Sequence, residues 1–295
     1  MAKHIVSIGG GITSTLLLPL KVIEKYGREN VTLVMAMLAT DEKNARPLVE
    51  AAELYFDMPI QRITCGRDGK SWRHVPYGTW ALYDIWDVFM FTGRMGSTLA
   101  DPCSRMLKRQ VLGAYMEGYS HLHVGITADE LDRMLAITRN WKAANVKVYS
   151  DLADDWTLTR EKAIAECQRI LGFVPDGYKA GSSHNNCAGE SDTPGLAVGG
   201  CVKAGHAQMA RFLYHNRDEY LRWEVNELHH QRIFDHTSTI MRDRKTVGGK
   251  SDSTPLTMRD FRRRMETRWA RMLPGFDPFG DLDDTPGCRF CEAAA

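Results

Sequence analysis

His4-Ile5-Val6-Ser7-Ile8-Gly9-Gly10-Gly11-Ile12-Thr13-Ser14-Thr15 is the stretch that decides how this chain folds. The first five residues read as a short buried parallel strand, and the glycines end it in a tight turn. Leu16, Leu17, Leu20 and Ile23 then fall on one helical stripe, with Thr13 or Ser14 as a cap and Gly27 as a stop. Strand, glycine loop and helix in that order open an α/β sheet.

Outward from this unit the alternation continues. Val31 to Leu38 is a second apolar strand, Pro47 to Phe56 a helix opened by Asp41-Glu42, and Ile60 to Ile63 a third strand. An aromatic-rich stretch runs from Trp72 to Phe91 and an amphipathic one from Ser104 to Gly118. His121 to Ile126 and Val146 to Tyr149 add two more strands. Thr157 to Leu171 is helical, with a capping-type run at its start and Gly172 and Pro175 beyond its end. The pattern predicts an α/β fold with a doubly wound, mostly parallel, Rossmann-like sheet. We place that domain at residues 1–176. Tyr178 to Gly205 is rich in Gly, Ser and Asn, and Ala207 to Glu227 returns to helical spacing, so residues 177–295 read as a C-terminal helical, cysteine-bearing module.

The 295 residues carry 38 Lys+Arg and 37 Asp+Glu, a net charge of +1, with 43% hydrophobic residues. These are ordinary globular proportions. No run approaches the roughly 18 apolar residues of a spanning helix, and Met1-Ala2-Lys3-His4 leads into a strand without a signal-peptide core. A soluble, cytoplasmic protein with no membrane partner is expected. Seven cysteines in such a chain are expected to be reduced thiols, which directs attention to metal or redox chemistry.

Consecutive small residues between a strand and a helix let backbone N–H groups converge, and the helix start adds partial positive charge, so the loop suits phosphate. It is not a Walker A loop, because no Gly-Lys-Ser/Thr follows the glycines. It is not a dinucleotide fingerprint either, because Ser14 stands where the third glycine belongs. A turn serving only close packing is the alternative reading.

Gly9-Gly10-Gly11-Ile12-Thr13-Ser14 resembles the pyrophosphate loop, commonly Ser-Gly-Gly-x-Asp-Ser, of the adenine nucleotide alpha-hydrolase-like (PP-loop ATP pyrophosphatase) superfamily. Gly9 replaces the first Ser and Thr13 the Asp, and phage-type members also accept Thr at the latter position. Asp101-Pro102-Cys103-Ser104-Arg105-Met106-Leu107-Lys108 resembles the Cys-Ser/Thr-Arg-x-x-Lys segment of the phosphoadenosine phosphosulfate (PAPS) reductase family. Gly125-Ile126-Thr127-Ala128-Asp129-Glu130-Leu131-Asp132-Arg133 resembles its Gly-x-x-x-x-Glu-x-x-Arg segment. Tyr178 to Cys187 and Gly200-Cys201-Val202-Lys203 are similar to the segments that open the cysteine region in phage-type members, with Ala188 to Gly200 as an insertion between the two cysteines.

The resemblance implies a HUP-type fold that binds an adenine nucleotide: ATP, PAPS or adenylyl sulfate (APS). Ser7, Gly9, Gly10, Gly11, Thr13, Ser14 and Thr15 would cradle the phosphates, with Mg2+ as a candidate counter-ion. Arg105, Lys108 and Arg133 would neutralise them, and Glu130 would orient a cation or bind ribose. Cys103 would either carry sulfur or line the pocket. Taken singly, Arg105 and Lys108 also read as a solvated helix face.

Cys288-Arg289-Phe290-Cys291 can donate two thiolates to one centre, and Cys187 and Cys201 can complete four ligands. The split arrangement resembles the distribution that holds a 4Fe-4S cluster in sulfonucleotide reductases. Zinc satisfies the same four thiolates, and a redox pair at Cys288 and Cys291 is a further reading. Cys65 and Cys167 read as packing residues, and His184 and His206 flank the cysteine region without an assigned role.

Residues 242–271 carry ten Lys/Arg against four Asp/Glu. Arg262-Arg263-Arg264 with Trp269 could form a stripe that follows a tRNA or DNA backbone, whereas Asp260 and Glu266 are spaced to neutralise it. A homodimer is compatible with the chain.

Three functions remain open at this stage. The first is an ATP-consuming enzyme that releases pyrophosphate during sulfur transfer, or a related modification of a nucleobase or small acceptor. The second is a PAPS or APS reductase, although the chain ends Cys291-Glu292-Ala293-Ala294-Ala295 without the Glu-Cys-Gly-x-His-type tail of those enzymes. The third is a catalytically silent nucleotide-binding module with structural zinc.

Overall fold

A computed structural model of the chain describes residues 3–39, 41–66, 71–76, 83–96, 102–142, 144–181, 199–247 and 250–282. Its sheet has six strands: β1 (His4–Ile8), β2 (Val31–Ala36), β3 (Ile60–Cys65), β4 (Trp72–His74), β5 (His121–His123) and β6 (Lys147–Tyr149). Their order is β4-β3-β2-β1-β5-β6, parallel except for the antiparallel edge pair β3 and β4. The chain builds outward from β1 to β3, then returns to place β5 on the other flank of β1. The strand order therefore reverses between β1 and β5, where open α/β sheets leave a crevice at the carboxyl ends of their strands.

Helices cover both faces. α1 (Leu18–Tyr26), α2 (Asp41–Phe56) and α7 (Arg160–Leu171) close over Val6, Ile8, Leu33 and Met35. On the opposite face α3 (Ile85–Thr92), α5 (Gln110–Tyr115) and α6 (Leu131–Lys142) pack with Ile5, Val34, Ile63 and Leu122. The alternation of Ile5 with Val6, and of Leu33 with Val34, between two cores is the period of two that a doubly covered sheet requires. α4 (Pro102–Ser104) and α8 (Asp176–Lys179) are single turns.

Described residues C-terminal to α8 pack into the second core. Phe212 of α9 (His206–His215), Tyr220 and Trp223 of α10 (Arg217–Phe234), and Phe261 of α11 (Met258–Ala270) all join it. The single helix read from Ala207 to Glu227 is two helices, broken at Asn216. An antiparallel hairpin, β7 (Met241–Val247) with β8 (Lys250–Leu256), precedes α11. Among the described residues no helix is long and apolar enough to cross a membrane.

Candidate functional site

The glycine loop leaves the carboxyl end of β1. Gly10 has φ +81°, a conformation that side chains resist, and a Cβ there would lie 2.8 Å from Ala45 Cβ, so glycine lets the loop pack against α2. The cap expected from Thr13 or Ser14 is absent as a helix cap. Instead Ser14 Oγ accepts the Gly9 N–H at 3.1 Å and donates to the Gly11 carbonyl at 3.3 Å, folding the loop onto itself.

The Ile12 N–H is donated to the Tyr178 hydroxyl at 3.2 Å. The N–H groups of Gly11, Thr13 and Ser14 find no acceptor among the described residues. The helix then begins with a π turn, Thr13–Leu17, closed by the Leu18 N–H on the Thr13 carbonyl. Thr15 is fully buried within it, and its hydroxyl has no partner among the described residues. Ser7, in β1, is buried.

The second predicted segment shares this geometry. After Pro102–Ser104, the backbone from Arg105 to Arg109 is also a π turn, closed by the Gln110 N–H on the Arg105 carbonyl. Such turns are rare and concentrate at functional sites. Cys103 and Ser104 are buried, the Ser104 hydroxyl has no partner among the described residues, and Arg105 is exposed. A small cavity of about 10 Å³ lies against Leu38, just past the end of β2, and is bounded also by Ile85, Cys103, Ser104, Lys108, Cys201 and Val202. Cys103 and Cys201, given different roles from the sequence, thus line one space.

The third segment follows β5. A Cβ on Gly125 would lie 2.8 Å from Ser14 Cβ and 2.9 Å from Ser14 Cα, so only glycine lets this strand end lie against the glycine loop. Beyond it Arg133 is only 3% exposed. Its Nη1 donates to Glu130 Oε1, while Nε and Nη2 are buried without partners among the described residues. Buried guanidinium N–H groups are nearly always bonded, so two orphans on one side chain call for a ligand that accepts from both.

The metal set is described in one member alone. Cys187, Cys288 and Cys291, together with His184, lie outside the described residues, and Cys201 is buried. Among the described residues no group of three or more His, Cys, Asp or Glu is placed to hold a metal ion. Cys65 and Cys167 are buried in the two cores, and burial pushes the Cys167 thiol up to about 11, as suits a packing residue.

Much of the basic segment is neutralised within the molecule. Arg259 and Arg262 meet Glu224 at 3.0 and 2.8 Å, Arg262 also reaches Glu266 at 3.1 Å, and Arg264 meets Asp243 at 2.7 Å. Burial pushes the Glu224 carboxyl up, but Arg262 and Arg259 outweigh it and hold it below the usual range. His206 Nε2 lies 3.1 Å from the Arg242 carbonyl, which gives that histidine a structural partner.

Two contributors escaped sequence reasoning. Tyr178 reaches the loop from 166 residues away in sequence, a contact no local pattern encodes. Ser104 lay inside a recognised segment, and its small size beside Cys103 was the available signal. No family model, curated protein or solved structure matches the chain.

Proposed function

We propose that the chain is an adenine-nucleotide-dependent enzyme that consumes ATP, releases pyrophosphate and transfers sulfur, or a related group, to a nucleobase or small acceptor. The observation that carries this reading is the placement of unpartnered buried polar atoms. Thr15 Oγ1, Ser104 Oγ, and Arg133 Nε and Nη2 belong to three segments separated in sequence, and those segments follow or line the carboxyl ends of β1, β2 and β5. Each orphan costs stability in the empty protein, about 1–3 kcal/mol, which an anionic ligand would return.

In this reading the loop amides and Thr15 receive the β- and γ-phosphates, and Arg133 grips a phosphate oxygen pair. An acceptor oxygen attacks the α-phosphorus, pyrophosphate leaves into the loop, and a sulfur or nitrogen nucleophile then displaces AMP. Fixed N–H dipoles, with Arg105 and Lys108, stabilise charge on the leaving group. Glu130 keeps Arg133 oriented, and Cys103 lines the acceptor side.

A four-thiolate centre from Cys187, Cys201, Cys288 and Cys291, either 4Fe-4S or zinc, belongs to the same proposal. Cys201 is buried beside Cys103, and a bound metal ion would hold its thiolate there. Such a centre would supply redox or structural chemistry, and no step above passes through it. The internal ion pairs of α11 leave a nucleobase within a small acceptor better supported than a long nucleic acid.

The test is to incubate purified protein with ATP or PAPS and candidate acceptors, and to measure pyrophosphate, AMP, adenosine bisphosphate and sulfite. Acceptor-dependent pyrophosphate and AMP are expected. Sulfite would replace the reading with a sulfonucleotide reductase, and nucleotide binding without any product would leave a silent binding module.

A further inference from the structure

We infer that Cys103 and Cys201 form a dithiol that can close to a disulfide across the cavity they share. This inference is independent of the reaction proposed above.

Three features converge on it. First, both residues are 6% exposed and line one space of about 10 Å³. That is room for roughly one water, yet Leu38, Ile85 and Val202 make its wall apolar, and a trapped water needs two or more polar partners. Close-packed interiors seldom leave room for a side chain to turn, and here the void adjoins two sulfur-bearing side chains.

Second, the backbone carrying Cys201 is held on both sides. A Cβ on Gly200 would lie 2.6 Å from the Phe212 ring, and Val202 Cγ2 sits 2.9 Å from where a Cβ on Gly96 would be. Cys103 is fixed in turn by the helical backbone that runs through Pro102–Ser104 into the π turn. Two anchored thiols give the second step of disulfide formation the advantage of an intramolecular reaction.

Third, a disulfide carries no charge, so closing the bond leaves no ion to solvate against the apolar side of this space.

The oxidant is a peroxide small enough for this space, such as hydrogen peroxide. The thiolate of Cys103 attacks one peroxide oxygen, the O–O bond breaks, a sulfenic acid forms on Sγ of Cys103, and the hydroxide that leaves takes up the thiol's proton as water. Cys201 then attacks that sulfur, the S–O bond breaks, the protein disulfide forms and a second water leaves. The two protein thiols lose two electrons and two protons in all, and the peroxide takes them up as water. The closed bond would tie the Cys-Ser-Arg-x-x-Lys turn to the segment that precedes α9, and would withdraw Cys201 from metal binding while it lasts.

Full-length, metal-free protein is exposed to stoichiometric hydrogen peroxide, denatured in an alkylating agent and mapped by peptide mass spectrometry. The free-thiol count is expected to fall from seven to five, with a peptide linking Cys103 to Cys201, and Cys65 and Cys167 alkylated. Cys103→Ser should abolish that link and leave at most a sulfenic acid on Cys201. Cys103 and Cys201 both remaining alkylatable, sulfenic acids without a link, or Cys201 joined to Cys187, Cys288 or Cys291 would each overturn the inference. ATP-dependent turnover is measured on the same samples, so loss of the proposed activity and loss of the link are read separately.

Discussion

Replacing Arg133 with Met should stabilise the empty protein and weaken its hold on nucleotide, two effects of opposite sign from one substitution. Arg133 is 3% exposed, with Nε and Nη2 unpartnered, and each orphaned N–H costs about 1 kcal/mol or more in the empty chain. Against that stands the pair with Glu130, whose side chain is 22% exposed and can rehydrate, so its loss costs about 1 kcal/mol or less. Met is a good helix former and fills much of the same volume. The balance favours Met by about 1 kcal/mol, a rise in Tm of roughly 2 °C for a chain of this size. For nucleotide the account reverses. Two charge-assisted hydrogen bonds are lost, each about 1.5–3 kcal/mol, which weakens binding by on the order of 100-fold or more. Thermal unfolding with and without ATP measures both. At a concentration of about 100 times the wild-type Kd, ATP should stabilise wild type by about 2.7 kcal/mol and Arg133→Met by about 0.4 kcal/mol or less. A variant that is several kcal/mol less stable when empty, and still shifts fully with ATP, would show that Arg133 serves only the fold.

Gly125→Ala should cost about 1–3 kcal/mol and abolish pyrophosphate binding, because the added Cβ meets Ser14 main-chain atoms at 2.9 and 3.2 Å and must push the loop; calorimetry with pyrophosphate and a urea titration read the two effects. Tyr178→Phe releases the Ile12 N–H from a 3.2 Å bond, so pyrophosphate affinity should rise severalfold, up to about tenfold, and unchanged or weaker binding would refute competition for that amide. Burial raises the Glu227 carboxyl to about 7, against the backbone N–H groups of Ile240 and Met258, which favour its charged form. The folded state therefore binds that proton more tightly than the unfolded chain does. Glu227's contribution is fully present below about pH 4.5 and is lost as pH rises through 7, by about 3 kcal/mol. Denaturation across that range should show this slope in wild type and a flatter one in Glu227→Gln.

The parallel sheet was legible because its strands are unbroken apolar runs ended by glycine or polar residues, as burial on both faces demands. His4–Ile8, Val31–Ala36, Ile60–Cys65, His121–His123 and Lys147–Tyr149 all fall within or beside the stretches read as strands. Trp72–His74 was not, since three residues are too few to display alternation. Nor was the hairpin Met241–Leu256, whose polar strands lack an apolar face, although Gly248-Gly249 between them was a usable turn signal. The π turns at Thr13–Leu17 and Arg105–Arg109 have no sequence signature, yet each lies in a segment singled out for its chemistry. The cavity shared by Cys103 and Cys201 could not be foreseen, because ninety-eight positions separate them and the docking of Val202 at Gly96 brings the second to the first.

Buried polar groups on the sheet divide into two kinds, and the division argues where a ligand belongs. Against the last turn of α1, His4 Nδ1 on the first residue of β1 meets His123 Nε2 on the last residue of β5 at 2.9 Å, His123 Nδ1 meets Asp151, two residues past β6, at 2.5 Å, and Lys25 reaches Asp151 at 3.2 Å. Burial pushes the Asp151 carboxyl up, but His123 and Lys25 prevail and hold it below the usual range. Burial and the neighbouring imidazoles of His123 and His121 lower His4. Tyr26 stacks on His4 at 3.8 Å and Tyr149 on His123 at 4.8 Å, which fills the remaining space with rings. That network is satisfied by its own members and stabilises the empty fold. Past the carboxyl ends of β1 and β5, and beside the end of β2, Thr15, Arg133 and Ser104 keep buried polar atoms that nothing in the described chain satisfies. A sequence that pairs its buried groups so fully in that network has the means to pair these as well. Leaving them open where the strand order reverses is what the proposed nucleotide site requires, since its anionic ligand would supply the partner.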